Sequence, residues 1–373
     1  MPRYSELALS TFTLPTGKNN TITDVSGVKV GHFTLYEGDG EWRPGRGPFR
    51  TGVTVILPHG GNIYEDKVPA AVHTINGFGK VAGFEQVREL GQIETPIVLT
   101  GTLNVPRVAD ALMTLSIEQS PHIGIGFNES GRKGYASVNP VVGETSDGFL
   151  SDIQARPIGE AAVRSAIKDA SSGPVSEGVV GAGTGTSCFG WKGGIGTASR
   201  VIPARFGAYT TGVLVQSNFG RPQELTIAGI PVGRHILPPG YSPCPESGSI
   251  MIILATDAPL ESRQLGRLCR RAAFGLARTG STCHGGSGDF VIAFSTAYQI
   301  QDRSDNILYE LPMLATEQPV VGALGLAVIE SVEEAIYNSL FMARTVIGRD
   351  GNARYGLPVE EVIKLIKHNR SDF

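Results

Sequence analysis

The stretch Gly248-Ser-Ile-Met-Ile-Ile-Leu-Ala-Thr-Asp-Ala-Pro-Leu260 decides how the chain is read. Residues 249–255 are an apolar run of strand length, headed by a serine and rich in isoleucine, which describes a fully buried strand. Asp257 is placed to cap the helix that follows, and Pro259 suits its first turn. Leu265, Leu268, Cys269, Ala272 and Leu276 then form one apolar helix face. Upstream, residues 234–248 carry four prolines in fifteen positions, the composition of a loop.

The same alternation extends in both directions. Strands are expected over residues 23–35, 52–57, 96–100, 208–215 and 289–295, with a glycine-rich strand region over 178–200. Helices are expected over 105–119, 159–170 and 358–367. Another opens at the capping box Ser331-Val-Glu-Glu334 and turns Ile336, Leu340, Ala343 and Ile347 inward. Residues 1–21 read as an irregular arm. With no internal repeat, the pattern describes one layered α/β unit over residues 1–373.

Composition narrows the class. The net charge of −3 lacks the basic footprint of a nucleic-acid binder. Apolar residues at 41% and charged residues at 18% suffice for a sizeable core. Glycine, 49 of 373 residues, is about twice its usual share of about 7%; it marks either tight turns or close backbone approaches. Cys188, Cys244, Cys269 and Cys283 form no CxxC or Cys/His cluster, so free thiols are expected rather than zinc or a disulfide framework. With neither an apolar leader nor a run near the ~20 residues that cross a bilayer, a soluble, cytoplasmic protein is expected.

Common catalytic motifs fail on context. Gly181-Ala-Gly-Thr-Gly185 is not followed by the helix a dinucleotide site requires. No GxxxxGK[ST] loop and no GxSxG elbow occurs. Ser165-Ala-Ile-Lys168 and Ser304-Asp-Asn306 match two elements of penicillin-binding chemistry, but the one KTG-like stretch, Arg278-Thr-Gly280, precedes the second element, which is the wrong order. The seven histidines are scattered, leaving little support for a metal-dependent or Ser–His–Asp hydrolase.

What remains is Gly248-Ser249. A hydroxyl residue heading a buried strand directly after a proline-rich loop suits a hydrolase that cuts itself. The serine attacks the preceding carbonyl, the acyl group shifts from N to O, and water frees a new N-terminus. Glycine at 248 is expected to tolerate a strained backbone there. The product would hold a hydroxyl and an α-amine on one residue, and an amine of pKa about 7.7–8.0 can act as a base. The spacing alone favours an ordinary loop-to-strand junction.

Six segments in order decide between these readings: Val141-Val-Gly-Glu-Thr-Ser-Asp-Gly148, Gly181 to Gly185, Lys192-Gly-Gly-Ile-Gly-Thr-Ala-Ser-Arg200, Gln216-Ser-Asn-Phe-Gly-Arg221, Gly248 to Leu260, and Gly286-Ser-Gly-Asp289. Together they resemble the self-processing aminopeptidase family that includes the L-aminopeptidase/D-amidase/D-esterases and the β-peptidyl aminopeptidases. The resemblance implies a four-layer αββα sandwich, similar in layers to the N-terminal-nucleophile hydrolases but differently connected. It implies a cut between Gly248 and Ser249 into an α chain (1–248) and a β chain (249–373) that stay together, assembly into a homo-oligomer such as a tetramer of αβ units, and no cofactor.

Carried over residue by residue, Ser249 matches the nucleophile. Ser287 and Asp289 match the Ser-x-acid pair that contacts it and helps its proton transfer; family members carry Glu or Asp at the acid. Asn218 matches the amide of the oxyanion hole, and Glu144 the carboxylate that receives the ammonium of a small peptide, amide or ester substrate. One departure stands out: where some members have a tyrosine hydroxyl just after this Glu, the chain has Ser146 and Phe149. The expected activity is removal of N-terminal residues through an acyl-enzyme on Ser249. The alternatives are an ornithine acetyltransferase-like acyltransferase, against which a Ser rather than Thr nucleophile argues, and a binding protein on the same scaffold.

Overall fold

The structure, a computed structural model, describes residues 2–7, 9–125, 137–241, 248–302, 308, 310–314 and 317–371. The principal strands are β1 (Lys29–Glu37), β2 (Phe49–Leu57), β3 (Asp66–Gly77), β4 (Ile97–Gly101), β5 (Val141–Thr145), β6 (Ile195–Val201), β7 (Thr210–Asn218), β8 (Ser249–Thr256) and β9 (Gly288–Ser295). The α-helices are α1 (Phe84–Leu90), α2 (Val105–Gln119), α3 (Glu160–Asp169), α4 (Ser262–Arg278), α5 (Glu317–Phe341) and α6 (Val359–Ser371).

One sheet runs β1-β2-β4-β5 and the larger runs β3-β9-β8-β7-β6, with a two-residue strand at each of two further positions along β3. Each sheet holds one parallel pair, β4/β5 and β8/β9. Parallel neighbours need a crossover, and α2 and α4 are those crossovers. The other pairings along these sheets are antiparallel.

The strand that opened the reading shows why the layers stack. Alternate residues of a strand face opposite ways. Met251, Ile253 and Ala255 join Ile97, Leu99, Val141, Phe290 and Ile292 in a core between the sheets. Ile250, Ile252 and Leu254 join Leu268, Ala272, Val332, Ile336 and Leu340 from α4 and α5. A third core sets Val108, Leu112, Ala162 and Val163 of α2 and α3 on the outer face of the smaller sheet. The order helices–sheet–sheet–helices is the expected αββα sandwich, and β8 lacks polar alternation because both its faces are covered.

Some local expectations give way. The helix read from Ser331 begins at Glu317, so the capping-box residues lie mid-helix. Glu334 instead pairs with Arg200 at 2.6 Å and accepts from Asn20 Nδ2 at 2.7 Å, a buried demand that the pattern S-x-x-E does not reveal. Asp257 accepts from the Thr210 N–H at 2.8 Å rather than capping α4, whose N-cap is Glu261. Ser165 and Lys168 are exposed on α3, and Ser304-Asp-Asn306 lies outside the described residues, as does Cys244. The irregular arm is tied down, with Tyr4 and Leu9 fully buried. Among the described residues, no helix is long and apolar enough to cross a membrane.

Candidate active site

The parallel and antiparallel neighbours of β8 converge on its first residue. Ser249 pairs with Asn218, the last residue of β7, and with Gly288, the first of β9. Directly opposed residues project from the same face of a sheet. Ser249 also shares its parity with Met251 and Ile253, so its hydroxyl is turned to the side between the sheets. It is 6% exposed, at the wall of an open cavity of about 480 Å³ lined also by Gly77–Lys80, Thr102, Glu144, Ser146 and Gly248.

The carbonyl of the peptide link before Ser249 is closely held. Ser249 Oγ donates to the Gly248 oxygen at 2.5 Å, and the Gly288 N–H donates to the same oxygen at 3.1 Å. Gly248 is not in the left-handed region, so the expected backbone strain is not what selects it. Space is: a Cβ there would sit 3.1 Å from the Phe219 Cα and 3.2 Å from Ser287 Oγ.

Ser287 Oγ donates to Asp289 Oδ1 at 2.6 Å. The pair borders the Gly248 backbone and makes no hydrogen bond to Ser249 Oγ. Asp289 is 1% exposed, and burial pushes its carboxyl above the usual range, opposed by the Ser287 bond. The turn entering Ser287 is fixed by Asn76, whose Nδ2 donates to the carbonyls of His284, Gly285 and Ser287.

Asn218 is oriented from one end. Its Oδ1 accepts the Ser187 N–H at 2.9 Å, which leaves the NH₂ as the outward group, and among the described residues Nδ2 has no hydrogen-bond partner. Glu144, on β5 of the opposite sheet, is 3% exposed and accepts the Lys80 N–H at 2.9 Å through Oε1. Burial raises its pKa. Gly79 lets this carboxylate come near the reactive strand: a Cβ there would stand 3.2 Å from Glu144 Oε1 and 3.3 Å from the Gly288 Cα. Of the two departure positions, Ser146 lines the cavity, whereas Phe149 is 41% exposed and carries the Arg354 guanidinium 3.6 Å above its ring.

Near the site lie two buried charged groups to which the sequence motifs assign no role. Asp147 and Lys192 are each at most 1% exposed. Lys192 Nζ donates to the carbonyls of Gly183 and Gly193 at 2.9 and 2.8 Å, and burial lowers its pKa to about 7. Burial likewise lifts Asp147 to about 6, and neither carboxylate oxygen has a hydrogen-bond partner among the described residues. Glu65, His122 and Asp302 offer ligand atoms within 4.8 Å of one another, but the Lys67 ammonium already pairs with Asp302 there.

Ser249 and Glu144 thus share one cavity, with Asn218 opposite Ser249 along the sheet and the bonded Ser287 and Asp289 beside Gly248. The model of peptidase family S58 matches residues 20–354. The β-peptidyl aminopeptidase BapA of Sphingosinicella xenopeptidilytica is 38% identical over 382 residues, spanning 98% of this chain and 91% of that protein. The crystal structure of the PH0078 protein from Pyrococcus horikoshii OT3 is 46% identical, with a TM-score of 0.91 over 99% of both chains. The L-aminopeptidase D-Ala-esterase/amidase of Ochrobactrum anthropi, described as a prototype for the serine aminopeptidases and a new variant among the Ntn hydrolase fold, is 38% identical, with a TM-score of 0.88 over 99% of both chains.

Proposed function

This chain belongs to peptidase family S58 and is a hydrolase of the aminopeptidase and amidase kind, and from that premise we propose that it cuts itself before Ser249 and then uses the new N-terminal serine to remove N-terminal residues from small peptides, amides or esters. The observation that carries this reading is the Ser249 hydroxyl 2.5 Å from the oxygen of the carbonyl it would attack.

In the first step the bond from Oγ to the Gly248 carbonyl carbon forms, and the C–N bond to Ser249 breaks. The hydroxyl proton finishes on the departing nitrogen, so the shift from amide to ester is an isomerisation. Ser287, held by Asp289 and bordering Gly248, carries that proton in this scheme. One water then splits the ester into a Gly248 carboxylate and a free Ser249. The fragments stay associated because β8 remains paired with β7 along its whole length. Assembly of such αβ units into a homo-oligomer belongs to the same reading.

In turnover, Ser249 Oγ attacks the substrate carbonyl while its own α-amine takes the proton, then passes it to the amine or alcohol that leaves as the scissile bond breaks. Asn218 Nδ2 donates to the oxyanion, Glu144 receives the substrate ammonium, and water hydrolyses the acyl-enzyme. Glu144 accounts for exo-action, since only a free amine compensates a carboxylate so removed from water. A denaturing gel tests the first half: two fragments for wild type, divided after residue 248, and one band for Ser249→Ala. An intact wild type with full peptidase activity refutes the scheme. A panel of L-, D- and β-amino acyl p-nitroanilides tests the second half and identifies the acyl preference.

A further inference from the structure

Two carbonyls must be polarised at this site in succession, that of Gly248 and that of each substrate, and the structure gives them different donors. We propose that self-cleavage uses the backbone N–H of Gly288 as its oxyanion donor, and that the Asn218 amide serves turnover alone. The inference rests on the self-processing reading above and divides its two reactions between two groups.

Three observations carry it. The Gly248 oxygen already accepts from Gly288 N–H at 3.1 Å, a donor in the plane of the sheet on the β9 side. Asn218 approaches Ser249 from the β7 side, and its Nδ2 is not spent on the Gly248 oxygen or on any other described group. Ser187 holds Asn218 Oδ1, so turning the amide to serve the first carbonyl would cost an existing hydrogen bond. As the tetrahedral centre forms on Gly248, its oxygen gains charge without leaving Gly288, which is fixed by strand pairing and needs no reorganisation. Once residue 248 has left, an incoming carbonyl enters on the face of the sheet that Ser249 shares with Asn218, the residue directly opposite it.

The test separates the donors. Asn218→Ala removes the amide, and Asn218→Asp keeps an acceptor for the Ser187 N–H while removing the NH₂. Both variants should cut themselves within about threefold of the wild-type rate, followed on denaturing gels, yet lose about 10²–10³ in kcat on a p-nitroanilide, the range for removal of one oxyanion donor. In the complementary arm, glycolic acid placed at position 288 by cell-free translation replaces the N–H with an ester oxygen. That full-length chain should cut itself at least tenfold more slowly, with folding checked by circular dichroism. Folded Asn218 variants that stay uncut beside a processed wild type overturn the proposal alone, as does a 288 ester that processes at the wild-type rate. A wild type that never cuts removes the self-processing reading and this proposal with it.

Discussion

Asp289 meets Ser287 rather than Ser249: its Oδ1 accepts the Ser287 hydroxyl at 2.6 Å, and Oδ2 has no hydrogen-bond partner among the described residues. The acid can therefore act on the scissile bond only through the intervening hydroxyl. Ser287→Ala and Asp289→Asn should each slow self-cleavage by a similar factor, roughly 10²-fold, and the double variant should be little slower than either. Asp289→Glu should retain part of the rate. Burial lifts Asp289 above the usual range, and the pair works with the acid ionised. Processing should thus fade as pH falls through a midpoint above the ordinary Asp value of about 3.9. Gel time courses across pH check both points, and additive losses would break the relay.

Glu144 accepts the Lys80 N–H, and the Thr102 hydroxyl and the Lys80 ammonium also favour its charged form against the burial that opposes it. A substrate ammonium would add a direct counter-charge to this buried carboxylate, so Glu144→Gln should raise KM and lower kcat/KM by about 100-fold, roughly 3 kcal/mol. N-acetylated substrates should be inert with the wild-type enzyme. Equal hydrolysis of free and acetylated p-nitroanilides would take the ammonium role from this residue.

Gly248 is selected by crowding rather than by its φ. Self-cleavage should therefore fall in graded fashion with size, about tenfold for Gly248→Ala and further for Gly248→Val, because a Cβ presses on the Phe219 backbone and on Ser287. Equal losses for Ala and Val would point to conformation instead. Fragment ratios after timed expression give the comparison.

Lys192 donates to two carbonyls, which the two N–H groups of a neutral amine can serve, and burial lowers its pKa from 10.5 to about 7. Between pH 7 and about 10 the unfolded chain then binds more protons than the folded one, so this group's contribution to stability rises with pH and is lost below that window. Lys192→Met removes that slope. In urea unfolding, the stability of wild type relative to the variant should grow by roughly 1–3 kcal/mol from pH 7.5 to 9.5. A constant difference would mean that the folded chain keeps the lysine charged.

The sequence carried the outline of this molecule further than its inner geometry. Residues 249–255 announce a strand covered on both faces, and α2, α3 and α4 declare their apolar stripes. β3 is not legible in the sequence, because Val-Pro-Ala-Ala at 68–71 has neither alternation nor strong strand propensity, and its place comes from pairing with β9. The six motifs contain Ser249, Asn218, Ser287, Asp289 and Glu144. What they do not contain is register: that Ser249 falls opposite both Asn218 and Gly288 depends on three strands far apart in the chain. Lys192 stood inside a quoted motif without a role, since its burial arises only when Gly183 and Gly193 close over it. Asn76, which fixes the Ser287 turn, lies outside all six.

Ends of chains are ordinarily the loosest parts of a protein. β8 would begin life otherwise. Its first residue is laced to a neighbour on each side before any bond is cut, so severing the chain there would create a terminus with nowhere to fray. Its amine would be delivered to one spot, with the entropic cost of holding it there already met by the folding of the sheet.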